Sequence, residues 1–522
     1  MFDIKVLWKA PEVNPINKKA RSIPALNPFD LYGRVFLFSW LGFMTAFWAW
    51  YTFPPLLSMT IAKDLDLTPV QVANSNIVSL VSTFFLRFVA GPLCDQFGSR
   101  NVYASLLLIG CLPIGLAPLV KNATGLYVSR FFIGVLGATF VPCQVWCTGF
   151  FDKNVVGTAN AFAGGFGNAG GGLTYVIMPA VFDAFVHNHG MSEHKAWRVT
   201  FVVPLMCLIA CGVSMFLLCP ETPLGKWNER AQRVQENLAA FDLSDASVVN
   251  VPGHITDRPS PSSVSSSSRK DEEKGDMSRR DIQALSRNGS FSKEEAQATA
   301  QAEVVVKPSF KEMMAVFCSL QTFFHVATYA CSFGGELAIN SILSSYYKKN
   351  FPHLDQTLAG NYASIFGFLN FVTRPLGGII ADILYTRFGG NLWLKKAWIT
   401  VCGLLTGGLL ILIGQIDPSE ANGSSIGLMV GLISLMAIFH EAGNGANFAL
   451  VPHVHPHANG IVSGATGGGG NLGGVVFAII FRFMNKGSDY AMGLWVIGIM
   501  QVALNLAVCW IPPIPRGQVG GR

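Results

Sequence analysis

Twelve stretches of about 20 mostly apolar residues dominate this chain, and a helix needs that length to cross a bilayer. Inside the hydrocarbon every backbone polar group must be satisfied within the protein, so each stretch is predicted to form a helix. Only 13% of the 522 residues are charged, whereas soluble domains carry about 25%. The sequence therefore predicts an all-α membrane protein. The predicted spans are 35–57, 72–93, 102–120, 125–147, 157–181, 199–219, 314–342, 361–384, 397–415, 426–449, 460–483 and 490–511.

A polar segment separates the spans into two groups of six. It contains a serine run at 265–268 and a mixed charge cluster at 269–274. Such a composition cannot bury a core, so a largely disordered linker is predicted. The expected divisions are an N-terminal segment 1–34, a first bundle 35–220, the linker 221–310, a second bundle 311–512 and a tail 513–522.

Charge and cysteine usage narrow the function classes. The basic residues of the N-terminal segment and the linker predict that both, and the C-terminal tail, are cytoplasmic. Against this, Lys348 and Lys349 fall on the outer side. The net charge of +6 is small and does not indicate nucleic-acid binding. The eleven cysteines lack metal-ligand spacing and are expected to be reduced; neither a cofactor nor a metal is predicted.

The two halves repeat each other. In the second and eighth spans, Arg87 and Arg374 each begin an Arg-x3-Gly-x3-Asp pattern that ends at Asp95 or Asp382. The fifth and eleventh spans carry glycine-rich segments, 157–171 and 460–474, which agree at seven of fifteen positions. Matching motifs at matching positions predict two bundles related by a pseudo-twofold axis, with the binding site between them.

The two arginines lie deep in apolar runs. A central arginine costs about 2.5–3.5 kcal/mol on the insertion scale and stays protonated, so each needs an anion or carbonyl partners. The carboxylates of Asp95 and Asp382 are about 12 Å along their own helices, too far to pair with them. A clamp on a flat anionic substrate is predicted, because guanidinium offers forked donors. The alternatives are structural ion pairs or snorkelling to an interface.

Asn168 and Asn471 occupy equivalent places in the two glycine-rich segments. Each could donate its amide NH2 to an oxyanion, or could instead join two helices. For the glycines themselves the favoured interpretation is close helix packing.

Together, these arginines and glycine-rich strings, AGGFGNAGGG and TGGGGNLGG, resemble the nitrate/nitrite porters of the major facilitator superfamily, and the long linker resembles the fungal branch. The resemblance covers nearly the whole chain. It implies the major facilitator fold, with twelve helices in two pseudo-symmetric bundles, and not an enzyme. It further implies proton-coupled import of nitrate, and of nitrite, through the plasma membrane by a protein expected to be a monomer within the lipid bilayer.

Carried over by position, the resemblance implies roles for particular residues. The substrate-binding residues would be Arg87, Arg374, Asn168, Asn471, Tyr329, Phe333, Phe140 and Phe47. The superfamily's loop motif after the second span would give Asp95 and Arg100 a gating role, with Asp382 as the second-half counterpart. Gln96 stands where this motif usually has arginine, which leaves the composition of its network of charges open.

Several alternatives stay open on the sequence. The cargo could be phosphate or an organic acid, the protein could exchange nitrate for nitrite, or it could be an anion channel. The proton carrier is not fixed; the candidates are Glu336, His440, Glu441 and His325. The histidines of PHVHPHANG, at 453, 455 and 457, resemble a metal tract, but a loop or gate role is favoured because supporting ligands are missing. Linker serines such as Ser290 could be phosphorylated.

Overall fold

Long helices account for nearly all of the computed structural model, which describes residues 4–152, 155–240, 310–354, 356–416, 425–455, 458–484 and 489–515. The first six rods are α1 Leu31–Trp50, α2 Pro69–Phe97, α3 Ser99–Leu116, α4 Ala123–Ile133 continued by the 3-10 turn Gly134–Thr139 and Phe140–Phe150, α5 Val156–Asn168 with Gly170–Asp183, and α6 Glu193–Thr200 with Val202–Leu218. The second six are α7 Leu320–Asn350, α8 Gln356–Leu369 with Thr373–Arg387, α9 Leu392–Gln415, α10 Ile426–Val454, α11 Asn459–Phe483 and α12 Tyr490–Val508.

Eleven of these rods, within the described residues, are long and apolar enough to cross a membrane. The remaining rod, α7, has 31 residues and is long enough. Its mean hydropathy is lower because its middle carries His325, Glu336 and Asn340. These polar side chains are buried in the interior of the protein.

The start of α7 differs from the prediction. The apolar pattern placed it at residue 314, but Phe310–Phe317 forms a separate short helix and α7 begins at Leu320. The oxygen Oγ of Ser319 accepts a hydrogen bond from the backbone of Thr322, which caps the new helix. Hydrophobicity cannot show this break, because apolar residues lie on both sides of the cap.

Packing between the halves follows the predicted repeat. In the first half α3 packs on α6, and in the second half α9 packs on α12. Between the halves, α2 contacts α11, α8 contacts α5, and α5 also contacts α10. Exchange of the halves converts the α2–α11 pair into the α8–α5 pair, so the two contacts are related by the pseudo-twofold axis.

One end of the molecule, here called the linker end, gathers the N-terminal segment and the start of the linker. Ile16 and Ala20 are fully buried. The side chain of Asn237, on the amphipathic helix Arg230–Ala240, donates to the carbonyl of Ile16 at 2.8 Å. The first twenty residues of the predicted linker are therefore packed on the bundle, and residues 241–309, with Ser290, lie outside the described part.

At the opposite end, here called the far end, a carboxylate joins two rods. Asp64, in the segment after α1, accepts from the side chains of His194, Trp197 and Arg198 at 2.7, 2.9 and 3.0 Å. Burial acts to raise the pKa of Asp64, but these hydrogen bonds outweigh it and hold the pKa below its ordinary value. The contact ties the α1–α2 connection to the start of α6.

Candidate substrate site

Arg87 lies in the middle of α2 and is fully buried. Its Nε donates to the carbonyl of Gly137 at 2.9 Å, in the 3-10 turn of α4, and its Nη1 donates to the carbonyl of Gly467 on α11 at 2.9 Å. The tighter turn and the glycine expose carbonyls that a regular helix would use internally. Its third nitrogen, Nη2, has no partner among the described residues.

Arg374 occupies the equivalent place on α8 and is 1% exposed. Its Nη2 donates to the hydroxyl of Tyr329 at 2.8 Å. Its Nη1 lies 3.9 Å from Oε2 of Glu336, which is too long for a hydrogen bond. Neither Nη1 nor Nε has a hydrogen-bond partner among the described residues, so Arg374 retains donors for an acceptor that the fold itself does not provide.

Two aromatic rings bring the guanidinium groups together. Cζ of Arg87 lies 4.9 Å from the ring centres of both Phe140 and Phe333, and Cζ of Arg374 lies 5.5 and 5.9 Å from the same rings. These rings are nearly parallel, 6.0 Å apart, and Tyr329 stacks on Phe333 at 5.1 Å. Cation–π attraction steadies each cation, but it does not cancel the repulsion between two like charges.

Each of the paired asparagines follows, by one helical turn, a glycine that lies against an arginine. Nδ2 of Asn471 donates to the carbonyl of Gly467, the same oxygen that Arg87 uses, at 3.1 Å. Asn168 is 1% exposed, and neither of its amide atoms has a partner among the described residues. The amide of Asn168 can therefore offer its NH2 to an anion without first giving up another hydrogen bond.

The glycine-rich segments let α5 and α11 approach the arginines. A Cβ on Gly164 would lie 2.8 Å from Nε of Arg374, and a Cβ on the equivalent Gly467 would lie 3.3 Å from Cδ of Arg87. Each arginine-bearing helix of one half therefore crosses the glycine-rich helix of the other half. The glycines do pack closely, as expected, but against the guanidinium side chains as well as backbone.

Known proteins share this architecture. The model of the Major Facilitator Superfamily matches residues 39–478. The chain belongs to the major facilitator superfamily. A solved structure of the proton:xylose symporter XylE, bound to 6-bromo-6-deoxy-D-glucose, superposes with a TM-score of 0.60 at 13% identity and covers 92% of this chain and 95% of that one. This likeness establishes the fold and confirms the predicted helical architecture.

Relatives of this major facilitator are transporters, and the prediction that it is not an enzyme is confirmed. It is 34% identical to elsinochrome transporter 1 of Elsinoe fawcettii, over 98% of this chain and 99% of that one. It is 31% identical to the high affinity nitrate transporter 2.5 of Arabidopsis thaliana, over 92% and 79%. It is 26% identical to the nitrate/nitrite transporter NrtP of Nostoc punctiforme, over 92% of both chains. Kinship with nitrate/nitrite porters is thus confirmed, and the protein is a multi-pass membrane transporter.

At the linker end of this transporter, the two predicted gating carboxylates lie at equivalent contacts between the halves. Asp382 accepts from the backbone and hydroxyl of Thr158 at 2.7 and 2.8 Å, and from Nζ of Lys395 at 2.8 Å. Asp95 approaches Gly460 so closely that a Cβ there would lie 2.4 Å from both carboxylate oxygens. Each carboxylate therefore sits at the beginning of the other half's glycine-rich helix.

Arg100 does not contact Asp95 in the structure. It donates to Glu221 at 3.0 Å, and to the carbonyl of Cys219 at 2.7 Å, beyond the end of α6. Its contacts therefore lie within the first half, and its gating role stays a prediction. The presence of Gln96 in place of the motif's usual arginine fits this arrangement, because Arg100 pairs here with Glu221.

The far end is closed as well. The hydroxyl of Tyr175 on α5 donates to the carbonyl of Asn340 on α7 at 3.1 Å, and Nε of Arg482 on α11 donates to Asn74 on α2 at 3.1 Å. With contacts between the halves at both ends and every predicted binding residue at most 2% exposed, the site is occluded.

The predicted aromatic residues differ in their ring contacts, and the role of Phe47 in substrate binding stays a prediction. Phe140, Tyr329 and Phe333 lie at the arginines, whereas the ring contacts of Phe47 are with residues of α1 and its end. Phe43, one turn earlier, contacts Phe140 at 5.3 Å. Sequence reasoning missed it because several aromatic residues lie within two turns of it along α1.

Phe448 of α10 was also missed. Its ring lies 4.8 Å from that of Phe140 and 5.1 Å from that of Tyr329. A signal was available, because Phe448 follows Glu441 by two helical turns and Asn444 by one, on a polar face of α10.

The histidine-rich loop gives no metal geometry within the described chain, where no group of three or more His, Cys, Asp or Glu could hold an ion. Nε2 of His453 lies 3.3 Å from Nζ of Lys395, and Nε2 of His455 lies 3.1 Å from Oγ of Ser319. His457 falls outside the described residues.

Proposed function

We propose that this transporter carries nitrate, and also nitrite, across the plasma membrane by alternating access coupled to protons. One observation carries the proposal: the buried guanidinium groups of Arg87 and Arg374 share two aromatic rings, and three of their nitrogens have no acceptor among the described residues. Two permanent charges so placed repel each other and keep donors unused, and a bound anion would relieve both. The nitrate-transporting relatives support nitrate as that anion.

The shape of the site suits a small flat oxyanion. Guanidinium groups bind planar oxyanions through forked pairs of hydrogen bonds. The nearly parallel rings of Phe140 and Phe333 lie against both guanidinium groups and help to exclude water from them. Asn168 and Tyr329 add neutral groups, so a single negative charge meets two cations in a site without water access. We assign Arg87 and Arg374 to anion binding, with Asn168, Asn471, Tyr329, Phe140 and Phe333 around it.

Closure at both ends supports alternating access over a channel. A channel needs a continuous path, whereas here the halves meet on either side of the arginines. We assign Asp95 and Asp382 to the gate at the linker end, because each joins the two halves there. We further propose that the linker end, with both termini and the linker, lies in the cytoplasm and that the transporter acts as a monomer.

The energy cost of importing an anion favours coupling to protons. Moving one negative charge into a cell that is negative inside costs about 2.3 kcal/mol for each 100 mV. A co-transported proton offsets this cost. An exchange of nitrate for nitrite would offset it too, and is the alternative mode of the same site.

Uptake of isotopically labelled nitrate, in cells without their own nitrate uptake, tests the proposal. We expect saturable uptake that nitrite inhibits and phosphate does not. Inhibition by phosphate or an organic acid, with nitrate inert, would assign the same site to another anion. Linear, non-saturating flux would indicate a channel.

The relative named as an elsinochrome transporter raises a second candidate, because its identity extends over nearly both whole chains. The same cells would be tested for transport of elsinochrome and for its inhibition of nitrate uptake. Transport of that compound without nitrate uptake would replace the present proposal.

A further inference from the structure

A buried carboxylate adjoins the candidate site and is not used by the anion clamp. Glu336 of α7 is 4% exposed. Its Oε1 accepts from Nδ2 of Asn370 at 2.9 Å and its Oε2 from Nδ2 of Asn444 at 2.7 Å, so neighbouring helices hold it from two sides. Nη1 of Arg374 stands 3.9 Å away. This is close enough for strong attraction in a buried setting, but open enough for a small anion to take over the hydrogens of Arg374.

Charged and titratable groups lie around Glu336 on four other helices and on α7 itself. Those that share its electrostatic environment, or lie beside the neighbouring Gly335, are Arg374 on α8, Arg87 on α2, Glu441 and His440 on α10, Tyr51 at the end of α1 and Tyr329 on α7 itself. Two guanidinium groups and two carboxyl groups therefore lie in one buried cluster and influence one another's charge. Adding an anion changes which of the carboxyl groups can remain ionised.

The partners of Glu336 suit both of its protonation states. The amide NH2 groups of Asn370 and Asn444 donate to the carboxylate, while the amide oxygens of both side chains have no partner among the described residues. If Glu336 takes up a proton, rotation of either amide by half a turn presents an oxygen to the new O–H. Such a pair of amides stabilises the charged and the neutral carboxyl group alike.

Glu441 is built differently. Its Oε2 accepts from the hydroxyl of Thr373, whose single hydrogen also has the carbonyl of Leu369 as an acceptor at 2.8 Å. Its Oε1 has no hydrogen-bond partner among the described residues, so no amide donor holds Glu441 as Asn370 and Asn444 hold Glu336. It is the natural comparison for Glu336.

We propose that Glu336 is the proton-coupling carboxyl group: it takes a proton from water on the side to which the site opens when the cargo anion binds Arg374, and returns it to water on the other side when the anion leaves. The anion and the carboxylate compete for one guanidinium group, so the second negative charge is neutralised by a proton. The inference rests on the proposed function and deepens it by naming the coupling residue.

Glu336→Gln and Glu441→Gln, with Glu336→Asp as the conservative variant, test this in liposomes containing the purified transporter. Exchange of labelled for unlabelled nitrate needs no net proton movement, whereas accumulation driven by a pH gradient does. For each coupled proton, a gradient of one pH unit raises accumulation about ten-fold. We expect Glu336→Gln to keep exchange and lose this response, and both other variants to keep exchange and response.

The outcomes separate the possible failures. An unchanged response in Glu336→Gln, or its loss in Glu441→Gln, would overturn the inference alone. Loss of exchange as well in correctly folded Glu336→Gln would show that Glu336 supports binding or structure and does not couple protons. A wild-type protein that exchanges no nitrate would overturn the proposed function together with the inference.

Discussion

Replacement of Arg374 by lysine separates the charge of the clamp from its shape. The lysine keeps one positive charge, but a single nitrogen replaces a guanidinium group that uses Nη2 on Tyr329 and leaves Nε and Nη1 available. One ammonium group cannot hold the Tyr329 hydroxyl and present a fork to a planar anion at the same time. At least one charge-assisted hydrogen bond to the cargo is therefore lost.

The size of the effect follows from that count. One hydrogen bond to a charged group contributes about 1.5–3 kcal/mol, which corresponds to a loss of roughly 10- to 150-fold in binding or uptake efficiency. Folding should be nearly unaffected, because the one hydrogen-bond partner of Arg374 among the described residues is the hydroxyl of Tyr329, which the lysine ammonium group can still bond. Arg87→Lys should differ, since the carbonyl of Gly137 loses its guanidinium donor, and an unsatisfied buried carbonyl costs about 1–3 kcal/mol of stability; the carbonyl of Gly467 also loses a donor but keeps the one from Asn471.

The assay combines labelled nitrate uptake, normalised to the amount of transporter at the cell surface, with thermal unfolding of the purified protein. Arg374→Lys is expected to lose uptake with a Tm close to wild type and to lose the stabilisation by added nitrate that binding produces. Arg87→Lys is expected to lose uptake and also to melt earlier. Near-normal uptake by Arg374→Lys would refute the forked clamp, and equal Tm values for the two variants would refute the distinction drawn from the carbonyl contacts.

Three other variants, with Gly408→Ala as a control, probe contacts outside the clamp. Gly378→Val is expected to abolish uptake at normal surface amount, because a Cβ there would already lie 2.3 Å from an alanine of α5 and the linker end could not close; Gly408→Ala, in open space, should transport normally. Asp382→Asn leaves the buried ammonium group of Lys395 unpaired, which costs about 3–5 kcal/mol, and should lower the Tm of the purified protein. Asp64→Asn should also lower the Tm at neutral pH. Burial opposes the ionisation of Asp64, but hydrogen bonds from α6 hold its pKa below 3.8. The stability that the ionised carboxylate contributes is therefore present above pH 3.8 and disappears as the pH falls below that value.

Each of these has a contrary result. Normal uptake by Gly378→Val would mean that closure does not require the α5–α8 contact. An unchanged Tm for Asp382→Asn would mean that Lys395 finds another partner. A Tm difference for Asp64→Asn that persists at low pH would assign its effect to packing and not to charge.

The sequence by itself determined the helical rods and the repeat, with boundaries that were approximate. Backbone groups in hydrocarbon must be bonded within each segment, so apolar length alone predicts a spanning helix. It also marked Arg87 and Arg374, because a permanent charge in such a segment is costly and must have a partner. The position of Ser319 as a helix cap was not predicted, since capping is a local hydrogen bond that hydropathy does not report.

Only the tertiary structure decided how the marked residues are supported. The crossing of α2 with α11, and of α8 with α5, brings carbonyls and rings from distant parts of the chain to the two arginines. Glu336, one of several carrier candidates on the sequence, is distinguished by its amide partners and by its distance from Arg374. The contact of Phe43 with Phe140 also came only from the structure, because the side of α1 that faces the arginines depends on how the whole helix packs, and several aromatic residues lie within two turns of one another there.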